Sequence, residues 1–160
     1  LGVIDDISKI TSARFKNEGD EIFLLGNDRV ETGGSELVKV YTGKTAGKAP
    51  DIDIQEEIRL QKAVLRAIRE KIINSAHDCA DGGIAICLAE KSIFSDNRMG
   101  AEIEIGDTSV ENLFGESHSR VIVSLNTHKV NDLEKICIEN DVSLKKIGRV
   151  VKEIFHLIMI

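Results

Sequence analysis

Arg120-Val121-Ile122-Val123-Ser124-Leu125 is a nearly unbroken β-branched run, and such a run reads as a central strand buried on both faces. A strand covered on two sides needs helices on two sides, so the flanking sequence must supply them. Upstream, Ile52 to Ile73 carries Ile58, Leu65, Ile68 and Ile72 on one helical stripe, with Glu56, Glu57, Arg66 and Arg69 elsewhere. Ile84 to Ile93 reads as a second helix, rich in Ala, Leu and Ile. Downstream, Val130, Leu133, Ile136 and Cys137 form a third stripe, ended by Asn140-Asp141. Further strand signals lie at Ile22 to Gly26, Ile147 to Val151 and Ile154 to Ile160. Ala101 to Ile105 alternates apolar and acidic residues as a half-exposed strand would, with Glu102 and Glu104 toward solvent. Strands and helices alternate, which predicts an α/β fold with a mixed sheet and packed helices.

The length of 160 residues suits one domain, able to bury roughly 70% of its unfolded surface around one core. Of three cysteines, Cys87 and Cys137 fall on apolar helical positions and no CxxC pair occurs, which predicts free thiols in a reducing cytoplasm. No apolar run reaches the length of a membrane span, and the N-terminus lacks the basic and apolar blocks of a signal peptide. A net charge of −6 and an aromatic content of 4% argue against a nucleic-acid surface. Neither a nucleic acid nor a membrane is therefore an expected partner. The chain opens on Leu1 without methionine, which suggests a piece of a longer protein.

Two short stretches concentrate polar chemistry. Ser75-Ala76-His77-Asp78-Cys79-Ala80-Asp81-Gly82-Gly83 places a histidine, two carboxylates and a glycine pair in what reads as a tight connection opening the second helix. A helix N-terminus offers unpaired N–H groups and partial positive charge, which suits an anion. Three roles stay open for His77, Asp78, Asp81, Gly82 and Gly83: capping, with Asp81 as the N-cap, contact with an anion or nucleotide, or metal ligation. Phe114-Gly115-Glu116-Ser117-His118-Ser119-Arg120 precedes the central strand. Its turn exposes N–H groups and a hydroxyl, and Arg120 is placed to pair with a phosphate or with Glu116. Ordinary turn chemistry is the alternative.

Other glycine stretches carry less. Gly43-Lys44-Thr45-Ala46-Gly47-Lys48-Ala49 fails the phosphate-loop template, since the glycine spacing is one short and Ala49 stands where a hydroxyl is needed. Gly33-Gly34-Ser35-Glu36 reads as a turn feeding a short helix with Ser35 as its cap. His128 and His156 have no evident partners, and no nucleophile with its base is recognisable.

These segments occur in the order seen in a known family. Val3-Ile4-Asp5-Asp6, Glu18-Gly19-Asp20, Gly33-Gly34-Ser35-Glu36, Ser75-Ala76-His77-Asp78 with Asp81-Gly82-Gly83, Leu88-Ala89-Glu90, Gly115-Glu116-Ser117 with Ser119-Arg120, and Ile147-Gly148 carry the likeness. To about Val151 the chain resembles the C-terminal domain of the aminoimidazole-ribonucleotide synthetase superfamily. Within it, the likeness is to the last domain of phosphoribosylformylglycinamidine synthase of the multisubunit bacterial type. The resemblance implies an ATP-dependent carbon–nitrogen ligase of purine synthesis, in which ATP activates the amide oxygen of formylglycinamide ribonucleotide and glutamine-derived ammonia displaces the phosphate. It further implies ATP and Mg2+ held mainly by domains outside this chain, and a glutaminase subunit and a small bridging subunit as partners beside the other domains. The isolated chain is then expected to be inactive. His118 stands where the first copy of the repeat typically has glutamine, a departure that points to a degenerate second copy. Two other expectations compete: a non-catalytic assembly module, and a metal-dependent phosphohydrolase built on His77-Asp78.

Overall fold

A computed structural model of the chain describes residues 3–4, 6–96, 98–152 and 158–159. The strands, in chain order, are β1 (Glu21–Gly26), β2 (Ser75–Asp78), β3 (Met99–Ile103), β4 (Arg120–Leu125), β5 (Leu144–Lys152) and β6 (Ile158–Met159). The helices are α1 (Glu36–Thr42), α2 (Ile54–Arg69), α3 (Gly83–Ile93), α4 (Val110–Phe114) and α5 (Val130–Glu139). One sheet runs β2-β4-β1-β5-β3-β6. Its first five strands pair antiparallel, and β6 joins β3 in parallel, so the sheet is mixed as expected. Asp5, His156 and most of the Ile154–Ile160 segment lie outside the described residues.

The β4 run behaves as its composition demands. Ile122 packs into a core with Ile22, Leu24, Ile84, Cys87, Leu88 and Leu113, on the side of α3 and α4. Val123 and Leu125 face the other way, onto Leu60 and Ala63 of α2 and onto Leu133 and Ile136 of α5. Two apolar layers therefore sandwich the strand, the condition that favours Val and Ile at every position.

The buried face of α2 differs from the expected stripe. Leu60, Ala63 and Ala67 point inward, while Ile58 is 38% and Leu65 46% exposed. Small alanines let the helix lie close on the sheet, and Leu65 and Ile68 instead border a groove with the N-terminal Val3, Ile4 and Ile10. The helix starts at Asp53, whose carboxylate accepts the Gln55 and Glu56 N–H groups, and it ends short of the predicted Ile73. Lys71 there takes a left-handed φ of 56°, and Ile72 and Ile73 drop into the core beyond the turn.

Ser75–Asp78 is strand rather than connection. Its backbone pairs with β4 from Ser75↔Ser124 to Asp78↔Val121, and a bridge to Ser12 covers its outer edge. Just inside that edge, Lys91 of α3 is completely buried. Its ammonium donates to the carbonyls of Ala13 (2.8 Å) and Ile122 (3.3 Å) and to Ser75 Oγ (2.8 Å), and lies 5.1 Å from the centre of the Phe15 ring. The N-terminal segment is thus tied to the sheet by the Ser12 bridge and through Lys91.

Ahead of α1, Ser35 acts as the cap that the sequence implies. Its Oγ accepts the Val38 N–H at 3.3 Å and donates to the Thr32 carbonyl, in a buried position. Changing Ser35 to alanine is expected to cost about 1 kcal/mol, read as a lower urea midpoint at unchanged slope.

Candidate functional site

Both polar stretches border one open cleft of about 490 Å3, lined by Asp78 to Asp81, Glu116 to Val121, Gly33, Gly34, Ala49, Pro50, Glu57 and Leu60. β2 delivers Asp78 at its C-terminal end, and β4 begins with Arg120 next to it, since Asp78 pairs with Val121. The third wall is the turn before α1. A Cβ on Gly33 would meet the Lys48 carbonyl oxygen at 1.9 Å, so only glycine lets the 43–51 loop close against this wall.

Glu116 ties the walls together. Its Oε1 accepts the Gly82 N–H at 2.8 Å and the Glu36 N–H at 2.9 Å, joining the starts of α3 and α1. Its own N–H donates to the Glu31 carbonyl, while Ser117 Oγ accepts the Glu31 N–H and donates to the Arg29 carbonyl. The Gly82 N–H at the start of α3 is therefore taken by the protein's own carboxylate. Asp81 is not the N-cap; Gly82 holds that position at φ 79° and makes no side-chain cap. Gly83 follows at φ 66° with the carbonyl of Gly115 2.4 Å from where a Cβ would stand, so Gly83 is a steric requirement for docking the two loops.

Arg120 is 3% exposed and pairs with neither Glu116 nor a free position in the cleft. Its Nε donates to the Ser117 carbonyl and its Nη2 to that of Gly115, so the guanidinium folds its own loop. Burial pulls its pKa below the ordinary arginine value. His118 exposes its side chain, and its carbonyl accepts from Asn27 Nδ2. Ser119, 7% exposed, donates to Glu57 Oε2 at 2.6 Å.

His77 points to the other side of the sheet. Its Nε2 lies 2.9 Å from Glu90 of α3 and its Nδ1 3.3 Å from Asp78. Gly82 and Gly83 are buried beneath the loop rather than lining the cleft. The structure thus gathers Asp78, Asp81, Glu116, Ser117, His118 and Arg120 around one space and leaves His77 outside it. Among the described residues, no group of three or more His, Cys, Asp and Glu converges as a metal ion would require. Glu57 was missed by motif reading because nothing local distinguishes it from the other acidic residues of α2.

Residues 17–158 match the family described as AIR synthase related protein, C-terminal domain. The phosphoribosylformylglycinamidine synthase subunit PurL of Caldanaerobacter subterraneus subsp. tengcongensis is 42% identical over 150 residues, 92% of this chain and 20% of the relative. That of Thermoanaerobacter sp. is 42% identical over 149 residues, with the same 92% and 20% shares. The chain thus spans about one fifth of the curated relatives it matches. Among solved structures, Thermotoga maritima PurL complexed with FGAR superposes at a TM-score of 0.77 with 19% identity, over 92% of this chain and 26% of that one. PurLQS from the same organism gives 0.66 with 18% identity, over 96% of this chain and 27% of that one. These structures share the fold, and the family match over residues 17–158 decides the classification: the chain belongs to the C-terminal domain family of AIR synthase related proteins.

Proposed function

We propose that this chain is the C-terminal domain of a phosphoribosylformylglycinamidine synthase, an ATP-dependent ligase that makes formylglycinamidine ribonucleotide from formylglycinamide ribonucleotide, ATP and glutamine-derived ammonia. The observation that carries the reading is the joining of the Asp78–Gly83 and Gly115–Arg120 segments, both part of the family likeness, at one cleft. Identity of 42% to PurL subunits supports it. The cleft residues Asp78, Asp81 and His118 bind and orient a ligand, while Glu116, Ser117, Arg120, Gly82 and Gly83 hold the two loops in register and Ser119 orients Glu57. His77 steadies β2 against α3 from outside.

ATP and Mg2+ serve the whole enzyme; in it, ATP supplies the phosphate that activates the amide oxygen. The residues here do not fit a magnesium site, since no metal-type cluster forms among the described ones, and no step is routed through the ion. The remaining synthetase domains, a glutaminase subunit and a small bridging subunit are the partners, in the cytoplasm. None of the helices is long and apolar enough to cross a membrane among the described residues.

Filling the cleft tests the reading. Ala49 and Ala80 line it from exposed positions, so tryptophan at either occupies the space without entering the core. In the whole synthetase, Ala49→Trp and Ala80→Trp are expected to lower ammonia-dependent kcat/KM at least tenfold with Tm within about 2 °C. Unchanged kinetics would favour the assembly-module reading. That alternative draws on α1, which buries no residue and exposes Val40 and Tyr41.

A further inference from the structure

The cleft is short of usable positive charge. Arg120 gives its Nε and Nη2 donors to the Ser117 and Gly115 carbonyls, and Glu116 already accepts the Gly82 N–H. Glu57, Asp78 and Asp81 also line the space, so a bare phosphate entering it meets several carboxylates against a single arginine that is 3% exposed and folded onto its own loop. Hydroxyl groups meet the opposite situation, because a carboxylate is an acceptor with lone pairs to spare.

Glu57 is the carboxylate fixed for that purpose. Ser119 Oγ donates to its Oε2 at 2.6 Å and Gln61 Nε2 to its Oε1 at 2.7 Å. Both donors are neutral, so they set the orientation of the group and leave its charge uncompensated. Each carboxylate oxygen can accept a second hydrogen. Ser119 is itself held: it sits at a left-handed φ of 59°, and its carbonyl accepts the Asn27 N–H at 3.2 Å. A strained, buried serine that aims a glutamate into a cleft is a positioning device.

We propose that Glu57 recognises the sugar hydroxyls of a nucleotide in this cleft, with Ser119 positioning it, and that the phosphates of the ligand lie away from this wall. The inference rests on the reading of the cleft as ligand-binding and names which end of the ligand it takes. A vicinal diol donates two hydrogens to one carboxylate, and a site built to accept them discriminates against the analogue that lacks one.

The test compares ribonucleotides with their 2′-deoxy forms, for both ATP and formylglycinamide ribonucleotide, in the whole synthetase. Glu57→Gln keeps the shape and one acceptor oxygen for the Ser119 hydroxyl, while an amide nitrogen replaces the oxygen that accepts from Gln61 and the charge is gone. It is expected to raise the KM of one ribonucleotide about tenfold, more than it lowers kcat, and to abolish the preference for that ribonucleotide over its 2′-deoxy form. Ser119→Ala is expected to give part of the same effect. An unchanged ribo-to-deoxy preference for both nucleotides in Glu57→Gln would overturn the proposal. If the cleft-filling tryptophans inhibit while Glu57→Gln is silent, the ligand cleft stands and the sugar assignment falls; if both are silent, both fall.

Discussion

Glu116→Ala is expected to destabilise the chain by about 2 kcal/mol and to free the amides of Gly82 and Glu36 to exchange with solvent. One carboxylate oxygen serves both N–H groups, at 2.8 and 2.9 Å. Charge-assisted hydrogen bonds of this kind contribute about 1.5–3 kcal/mol each when the partner is left without water. Glu36 is exposed, and water replaces much of its lost bond, so the larger share comes from the buried Gly82. Glu116→Gln retains an acceptor oxygen without charge and is expected to recover about half of the loss. Urea denaturation reads the stability, and amide exchange at Gly82 and Glu36 assigns it. Exchange unchanged at both amides in Glu116→Ala would mean that the carboxylate does not hold the two helix starts.

The same residue shows what a sequence can and cannot disclose. β4 is legible because its demand is local: a β-branched run with almost no polar interruption suits a strand covered twice. The start of α1 is legible for a similar reason, since Ser35 and Val38 lie within one turn. The partners of Glu116 are not legible. Gly82 and Glu36 lie far from it in sequence, and an acidic residue beside two helix starts reads equally well as a ligand contact or as a cap. Arg120 misleads in another way. A charged residue opening a buried strand suggests an outside partner, yet two of its donors go to carbonyls of its own loop.

β2 and α2 fail for reasons of size. Four residues with a histidine and an aspartate give no alternation to read, and β2 exists because β4 and Ser12 offer it backbone partners. On α2, large side chains draw attention to Ile58 and Leu65, but the face against the sheet is the one carrying Ala63 and Ala67. Close approach selects small residues there, and hydropathy patterns weight them least. The candidate cleft has the same character. Its contributing segments were individually visible, whereas Glu57 enters only through a contact across 62 positions with Ser119.

Lys91 carries the other large effect, and it is one of pH. Burial without a carboxylate pushes its pKa down to about 8 from an ordinary 10.5. Between these values the unfolded chain binds a proton that the native chain has released, so stability rises with pH. Below pH 8 the folded protein carries the full cost of a buried ammonium; above 10.5 it carries none. At about 1.4 kcal/mol per tenfold change in proton affinity, the whole difference is about 3 kcal/mol. Two thiols oppose it at the upper end. Cys137 is pushed up to about 11 by burial, and Cys87 is raised by its contact with the Cys79 thiol and by burial. Both keep their protons in the native state as the unfolded chain loses them, so they lower stability as pH approaches and passes 9. Both thiols are also present in Lys91→Met, so the lysine's contribution is read as a difference: from pH 7 to 9 the wild-type chain is expected to gain about 1 kcal/mol relative to the variant. Lys91→Met removes the lysine's titration while filling most of the space, and keeps the fall caused by the thiols. A neutral amine still donates to the Ala13 and Ile122 carbonyls and can accept from the Ser75 hydroxyl, so deprotonation leaves these contacts in place and relieves only the buried charge. A wild-type profile parallel to that of Lys91→Met over pH 7 to 9 would show that the ammonium carries no desolvation cost in the folded chain.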